Sequence, residues 1–327
     1  MGAASHLGEF ERIARFFAPL AAPGALGLVD DVALIDGPAG EQYVLTTDAI
    51  VEGVDYFPDD PPAQIAKKLL RVNLSDLAAK GARPFGYLLT TVLPAARDET
   101  WLAAFCAGLA EDQAAFGIGL LGGDSSGTPG PTTLSVTAIG RVERGRAILR
   151  SGAKAGDRIY ASGSIGDAAL GLAALKGEIA GLSESDRAFL IDRYRLPQPR
   201  LALGQRLVGL ASAMIDISDG LVADLGHICT ASALGARIDA EKVPRSEAAR
   251  RVLGIAPDRL AAIFGGGDDY ELLFTAPPAA AYRIGDVMRE TGILVYCIGE
   301  METGAGVKVR DAHGQQMPIG LAGYSHF

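Results

Sequence analysis

The chain reads as an α/β protein of two domains, and three observations carry that reading. Short apolar segments of strand character alternate with segments of helical spacing, the order that α/β domains take. At 327 residues the chain exceeds what one hydrophobic core usually holds, so about two domains are expected. A hydrophobic content of 49% with 42 glycines supplies apolar surface to bury and turn formers for a loop-rich fold.

Taken in order, Phe10, Ile13, Phe16 and Phe17 recur at helical spacing between Gly8 and Phe17 and predict a short docking helix. Gly24 to Gly27 lead into short strands around Val32 to Ile35 and Tyr43 to Thr47, the second ending at Asp48. Residues 63–80 form a helix with Ile65, Leu69 and Val72 on one stripe. At about 100° per residue Asp76 falls on the same stripe and faces the apolar side. A carboxylate there needs a cation or several donors; an i,i+4 ion pair with Lys80 is the plainer alternative.

Asp98 caps the next helix, which runs through Trp101, Phe105 and Leu109 and stops at Gly117. Gly117 to Gly130 is a glycine-rich stretch, and Thr132 to Val142 alternates like a strand. The polar, basic crossing ERGRAILRSGAKAGD then marks a passage between domains, which we divide as 1–148 and 149–327. Beyond it come a strand at Arg158 to Ser162, a tight turn from Gly163 to Asp167 and a helix from Ala168 to Lys176. That strand, turn and helix could seat an anion. A helix before Pro197, a strand at Met214 to Ile217, a helix from Leu221 through Ile228, and strands near Glu271 to Thr275 and Val295 to Ile298 complete the alternation.

A net charge of −9 repels nucleic acid and anionic membrane, which need clustered Lys and Arg. No stretch reaches the ~18 apolar residues of a membrane span. The acidic start, with Glu9 and Glu11, is not that of a signal peptide. Cys106, Cys229 and Cys297 lack a CxxC spacing and suit reduced thiols in a cytosolic protein.

Seven aspartates, Asp30, Asp31, Asp48, Asp76, Asp124, Asp216 and Asp219, sit where apolar segments run out. Singly each reads as a turn former or helix cap. Together, with Thr46 and Thr47 beside Asp48 and Gly122 and Gly123 beside Asp124, they would repel one another unless a cation lay among them. Oxygen donors without a Cys or His cluster point to magnesium rather than zinc. There is no P-loop, GxSxG elbow or HExxH helix, and His6, His227, His313 and His326 are scattered. His227, inside a helix, reads as packed or capping. The run Gly265 to Gly267 before Asp268 and Asp269 is a weak nucleotide-loop signal and equally a plain strand-entry turn. Carboxylates and glycine loops with no obvious nucleophile fit direct phosphoryl transfer, where the catalyst positions groups and neutralises charge.

The segments GEFERIARF, LVDDVAL, TTDAIVEGVDYF, VNLSDLAAKGARP, GGDSSG, RSGAKAGDRIYASGSIGDA, DISDGLVADLGHI, DDYELLFT and the terminal GYSHF resemble thiamine-monophosphate kinases, in that family's order, from residue 8 to the C-terminus. The resemblance implies ATP-dependent conversion of thiamine monophosphate to thiamine diphosphate by a magnesium-dependent, cytoplasmic homodimer. The N-terminal α/β domain would pair its sheet across the dimer, and a C-terminal α/β sandwich would close over the nucleotide. It further implies magnesium ligands at Asp31, Thr46, Thr47, Asp48, Asp76, Asp124, Asp216 and Asp219. ATP contacts would fall at Gly123, Asp124, Arg150 and Ser218, and the acceptor near Asp55, Asp268 and Leu321. At those last three positions the family usually carries His, Glu and an aromatic residue; Tyr324 stands three residues from the altered aromatic. Two other readings stay open: an ATP-dependent relative acting on a different acceptor, and a catalytically silent binder of nucleotide or thiamine phosphate.

Overall fold

A computed structural model describes residues 11, 13–318 and 323. The first domain is built on a five-stranded sheet of β1 (Ala33–Asp36), β2 (Glu41–Val51), β3 (Arg83–Leu93), β4 (Gly119–Gly127) and β5 (Thr133–Glu143), in the order β1-β2-β5-β3-β4. β2 runs antiparallel to β5 over its full length, with Thr46 opposite Ala138 and Asp48 opposite Val136. β3 and β4 run parallel, as strands joined by a helical crossover do; that crossover is helix α2 (Glu99–Phe116). Asp98 caps α2 by accepting the Trp101 N–H at 2.9 Å, and Gly117 ends it in the left-handed region at φ 66°.

Helix α1 (Pro62–Ala79) lies on one face of this sheet, with Ile65, Leu69, Leu70, Leu74 and Leu77 buried against Val44, Val136 and Ala138. Its long apolar run, without Gly or β-branched clusters, suits a buried helix.

Three sequence expectations differ from the fold. The Gly117 to Gly130 stretch contains strand β4, because β3 offers an unused edge whose backbone groups the glycine-rich segment satisfies. β3 has no counterpart in the expected strands, since Pro84 and Gly86 interrupt its alternation. The expected docking helix is described at residue 11 and over Ile13–Phe17, where Phe16 and Phe17 are exposed; Phe10 lies outside the described residues.

The second domain carries a six-stranded sheet of β6 (Arg158–Ser162), β7 (Ala213–Asp216), β8 (Gly235–Asp239), β9 (Leu272–Ala276), β10 (Val295–Glu302) and β11 (Gly306–Arg310), in the order β11-β8-β10-β6-β9-β7. The helices α3 (Asp167–Leu175), α4 (Glu184–Arg195), α5 (Leu201–Leu207), α6 (Leu221–Ser232), α7 (Glu247–Ile255), α8 (Leu260–Gly265) and α9 (Ala281–Thr291) complete it. One core lies on the side of this sheet that holds Ile159, Ile215, Leu273 and Ile298. The other side, through Tyr160, Met214 and Phe274, joins the core of the first domain, so part of the seam between domains is packed with apolar side chains.

At that seam α5 crosses α1 closely enough that a Cβ on Gly204 would come within 2.0 Å of the Ala78 carbonyl oxygen. Gly204→Ala is therefore expected to lower stability by about 3 kcal/mol in urea unfolding. A loss below ~0.5 kcal/mol would show that the two helices separate freely.

Candidate active site

Four chain segments meet at the seam: the Asp30–Asp31 loop, β2, the C-terminal half of α1 and the end of β7. On β2 the period of two sends Thr46 and Asp48 toward α1 and Thr47 to the opposite face. On α1, Asp76 points inward, as its place on the apolar stripe predicts, and accepts the Thr46 hydroxyl at 2.5 Å. The Thr46 oxygen also lies 3.3 Å from the Asp31 carbonyl. Asp216 ends β7, its carboxylate receiving the Ser75 hydroxyl at 2.6 Å. Asp48 takes its place through its backbone N–H, which donates to Asn73 Oδ1 at 3.1 Å.

Asp31, Asp76 and Asp216 thus offer carboxylate oxygens that all lie within 4.8 Å of one another, two domains contributing to one cluster. Burial, followed by the charges of Asp48, Asp216 and Asp31, holds the Asp76 carboxyl well above its ordinary range. Burial, with Asp31 and Asp48 beside it, raises Asp216 to about 7. Asp31 goes the other way: burial would raise it, but Lys80 and Arg150 against it hold it low. Three close carboxylates of which two resist ionisation form a donor set that a divalent cation would satisfy. Lys80 does not pair with Asp76 four residues back; its ammonium bonds Asp30 at 2.8 Å and Asp31.

The remaining expected ligands are divided from this cluster. Thr47 bonds only along its own sheet face, donating to the Val136 carbonyl at 3.1 Å and accepting from Thr137 at 3.2 Å. Asp124 pairs in register with Thr90 on β4, the edge strand, and is exposed like Thr47. β5 and β3 intervene between β2 and β4, so at ~4.8 Å per strand Asp124 stands about 14 Å from the Asp48 row. Gly123 lies beside it. Asp219 opens α6 and groups with Asp224 and His227, again with ligand atoms within 4.8 Å. Asp224 is buried and accepts the Asp219 and Gly220 N–H groups at 3.1 and 3.0 Å, and burial pushes its carboxyl well up. Burial and the nearby Arg150 lower His227 to about 4, so its ring is neutral.

Arg150 grips Asp31 through both Nε, at 2.8 Å, and its terminal nitrogen. Its backbone N–H donates to Asp30 Oδ2 at 2.9 Å. The Ser218 carbonyl accepts the Asp268 N–H at 2.8 Å, and a Cβ on Gly267 would meet that same carbonyl at 2.0 Å. The glycine run therefore serves close backbone approach. The turn before α3 is not open to an anion, since Asp269 fills it, accepting the Gly166 and Ala168 N–H groups at 2.6 and 3.2 Å.

On the far side of the seam, Lys68 is buried with its ammonium 2.9 Å from the Asp55 carbonyl, 3.1 Å from Asp268 Oδ2 and 3.8 Å above the Tyr194 ring. The Tyr194 hydroxyl donates to the Asp55 carbonyl at 3.1 Å, and the Tyr270 hydroxyl to Asp268 Oδ1 at 3.2 Å. The Asp55 carboxylate, in the turn after β2, reaches back to that strand's end and accepts the Val51 N–H at 2.7 Å. Leu321 and Tyr324 lie outside the described residues. Lys68, Tyr194 and Ser75 are site residues that sequence reasoning missed, and Lys80 was considered only as a partner for Asp76. Their only signal was helical phase for Lys68 and Ser75; Tyr194 reaches the site from a distant helix.

Residues 29–142 match the family described as AIR synthase related protein, N-terminal domain, and residues 154–312 its C-terminal domain. The carboxylate-lined seam between those two domains thus belongs to a two-domain protein of the AIR synthase related class. A thiamine-monophosphate kinase of Caulobacter vibrioides is 43% identical over 304 residues, covering 91% of this chain and 85% of the relative. The chain belongs to the thiamine-monophosphate kinase family. The crystal structure of the Stenotrophomonas maltophilia member superposes with a TM-score of 0.79 at 39% identity, over 92% of this chain and 94% of that one. The structure of AaThiL complexed with AMPPCP and TMP superposes at 0.87 with 29% identity, over 100% and 99% of the two chains.

Proposed function

We propose that this chain phosphorylates thiamine monophosphate to thiamine diphosphate with ATP. The observation that carries the reading is the convergence of Asp31, Asp76 and Asp216 from both domains into one oxygen cluster, in a chain of this family. An oxygen of the acceptor phosphate forms a bond to the γ-phosphorus as the bond from that phosphorus to the β,γ-bridging oxygen breaks, and ADP leaves. That oxygen is already ionised at neutral pH, so no side chain has to remove a proton, and no covalent phosphoenzyme arises.

The oxygen donors fit magnesium: Asp31, Thr46, Asp48, Asp76 and Asp216 would hold it at the seam, and Asp219, grouped with Asp224 and His227, would add a further carboxylate. Bound there, magnesium neutralises phosphate charge. The chain's own part is positional. Lys68, itself held over the Tyr194 ring, and Tyr270 fix Asp268 at the acceptor side, and we assign Asp55 and Leu321 to that side from the family resemblance. Gly123, Asp124, Arg150 and Ser218 are the nucleotide contacts; Arg150 must share or exchange its bond to Asp31 to reach a phosphate.

Thr47 and Asp124 lie on the exposed sheet face together with Leu88, and the edge strand β4 also exposes Leu120 and Leu121. An apolar edge of this kind suits pairing with a second copy, and we assign the homodimer to it. Asp124 then reaches the phosphates from the second copy. The domain division at 148/149 places Arg150 in the connection, and the cytoplasm is the compartment that such a substrate pair implies. Incubation with ATP, Mg²⁺ and thiamine monophosphate is expected to yield thiamine diphosphate and ADP by mass spectrometry. ATP turnover without thiamine diphosphate would shift the assignment to another acceptor, and binding without turnover to a silent binder.

A further inference from the structure

Lys80 is the largest charged side chain with no solvent contact among the described residues, and it sits against the carboxylate cluster. Its ammonium bonds Asp30 at 2.8 Å and Asp31, and reaches the Met214 carbonyl at 3.3 Å. Asp30 and Asp31 belong to the first domain's opening loop, Lys80 follows α1, and Met214 lies on β7 of the second domain, two residues before Asp216. One ammonium therefore ties together the three segments that carry Asp31, Asp76 and Asp216.

We propose that Lys80 is a resident counter-cation: it assembles the carboxylate cage across the two domains before metal binds, and it competes with the divalent ion for Asp31. The inference rests on the kinase reading above, since it takes the cage to be the metal site. A buried ammonium is costly unless paired and hydrogen-bonded, and here it has two carboxylates and a carbonyl. Around it stand Asp30, Asp31, Asp76 and Asp216 as anions or potential anions, against Lys80 and Arg150 as cations. Deleting one positive charge a few ångströms from a Mn²⁺ site strengthens the site's field for the ion, by about tenfold or more in affinity.

The test uses Mn²⁺ alone as probe, with free Mn²⁺ read by electron paramagnetic resonance on the whole protein, together with thermal melts. Lys80→Met is expected to bind the first Mn²⁺ about tenfold tighter than the unsubstituted protein, to melt lower without metal, and to gain more in melting temperature when Mn²⁺ is added. Lys80→Arg, which returns the charge, is expected to bring the affinity back toward the original. A Lys80→Met protein that folds only with Mn²⁺ present supports the inference equally, because the ion then replaces the ammonium. Unchanged Mn²⁺ affinity in a folded Lys80→Met protein overturns it, as does a protein that stays unfolded at every Mn²⁺ concentration; both leave the kinase reading standing. Failure of the unsubstituted protein to bind Mn²⁺ overturns this inference and the metal site of the kinase reading together.

Discussion

Asp76→Asn is expected to stabilise the metal-free protein while removing nearly all turnover. In the folded chain Asp76 is buried among Asp48, Asp216 and Asp31, which hold its carboxyl well above the ordinary range. A raised folded-state pKa means that the native chain keeps a proton the unfolded chain releases. The stability linked to that proton is fully present below about pH 4 and is lost as pH rises toward the folded-state pKa. Asparagine never ionises, so it escapes that loss and can still accept the Thr46 hydroxyl that Asp76 receives at 2.5 Å. The gain in melting temperature should be about 3 °C at pH 8 and should vanish near pH 4. Turnover with Mg²⁺ should fall by about three orders of magnitude, because a ligand charge is lost while the shape is kept. A lower melting temperature at pH 8 would mean that Asp76 is a structural carboxylate.

A mixture of two inactive variants should recover activity if Asp124 works from the second copy. Asp48→Asn and Asp124→Asn are each expected to be inactive alone. In a mixed dimer one site carries both substitutions and the other carries neither. Random pairing puts about half of the molecules in mixed dimers, each with one working site of two, so about a quarter of full activity returns. The geometric reason is the sheet order, in which β5 and β3 separate β2 from β4. Asp48 and Asp124 from the same chain cannot touch one ion across about 14 Å. Activity staying at background in co-refolded mixtures that contain mixed dimers would place Asp124 in the same chain's site, or outside the site.

Much of the acidic site was legible because helical and strand periods are local. The stripe through Ile65, Leu69 and Val72 already aimed Asp76 inward, and Asp31 and Asp216 sit where apolar segments run out, a placement that pointed to a buried mouth only when the aspartates were taken together. The division of the donor set was not legible. Adjacent residues Thr46 and Thr47 read as one pair, yet the pleat sends them to opposite faces, and which face holds α1 is settled by packing. The anion seat before α3 failed for a related reason: the Gly166 and Ala168 N–H groups are claimed by Asp269, about a hundred residues later in the chain. β4 was hidden because glycines hide strand propensity, while the unused edge of β3 decided its conformation.

By itself the sequence determined the α/β class, the two-domain plan and the family, since these follow from composition, local period and motif order. Only the tertiary structure decided that Asp31, Asp76 and Asp216 meet, that Asp124 stands a sheet's width away, and that Lys80 abandons Asp76 for Asp30 and Asp31. Those outcomes depend on strand register and on the packing of α1 against two domains, interactions between residues far apart in the chain that no local pattern encodes.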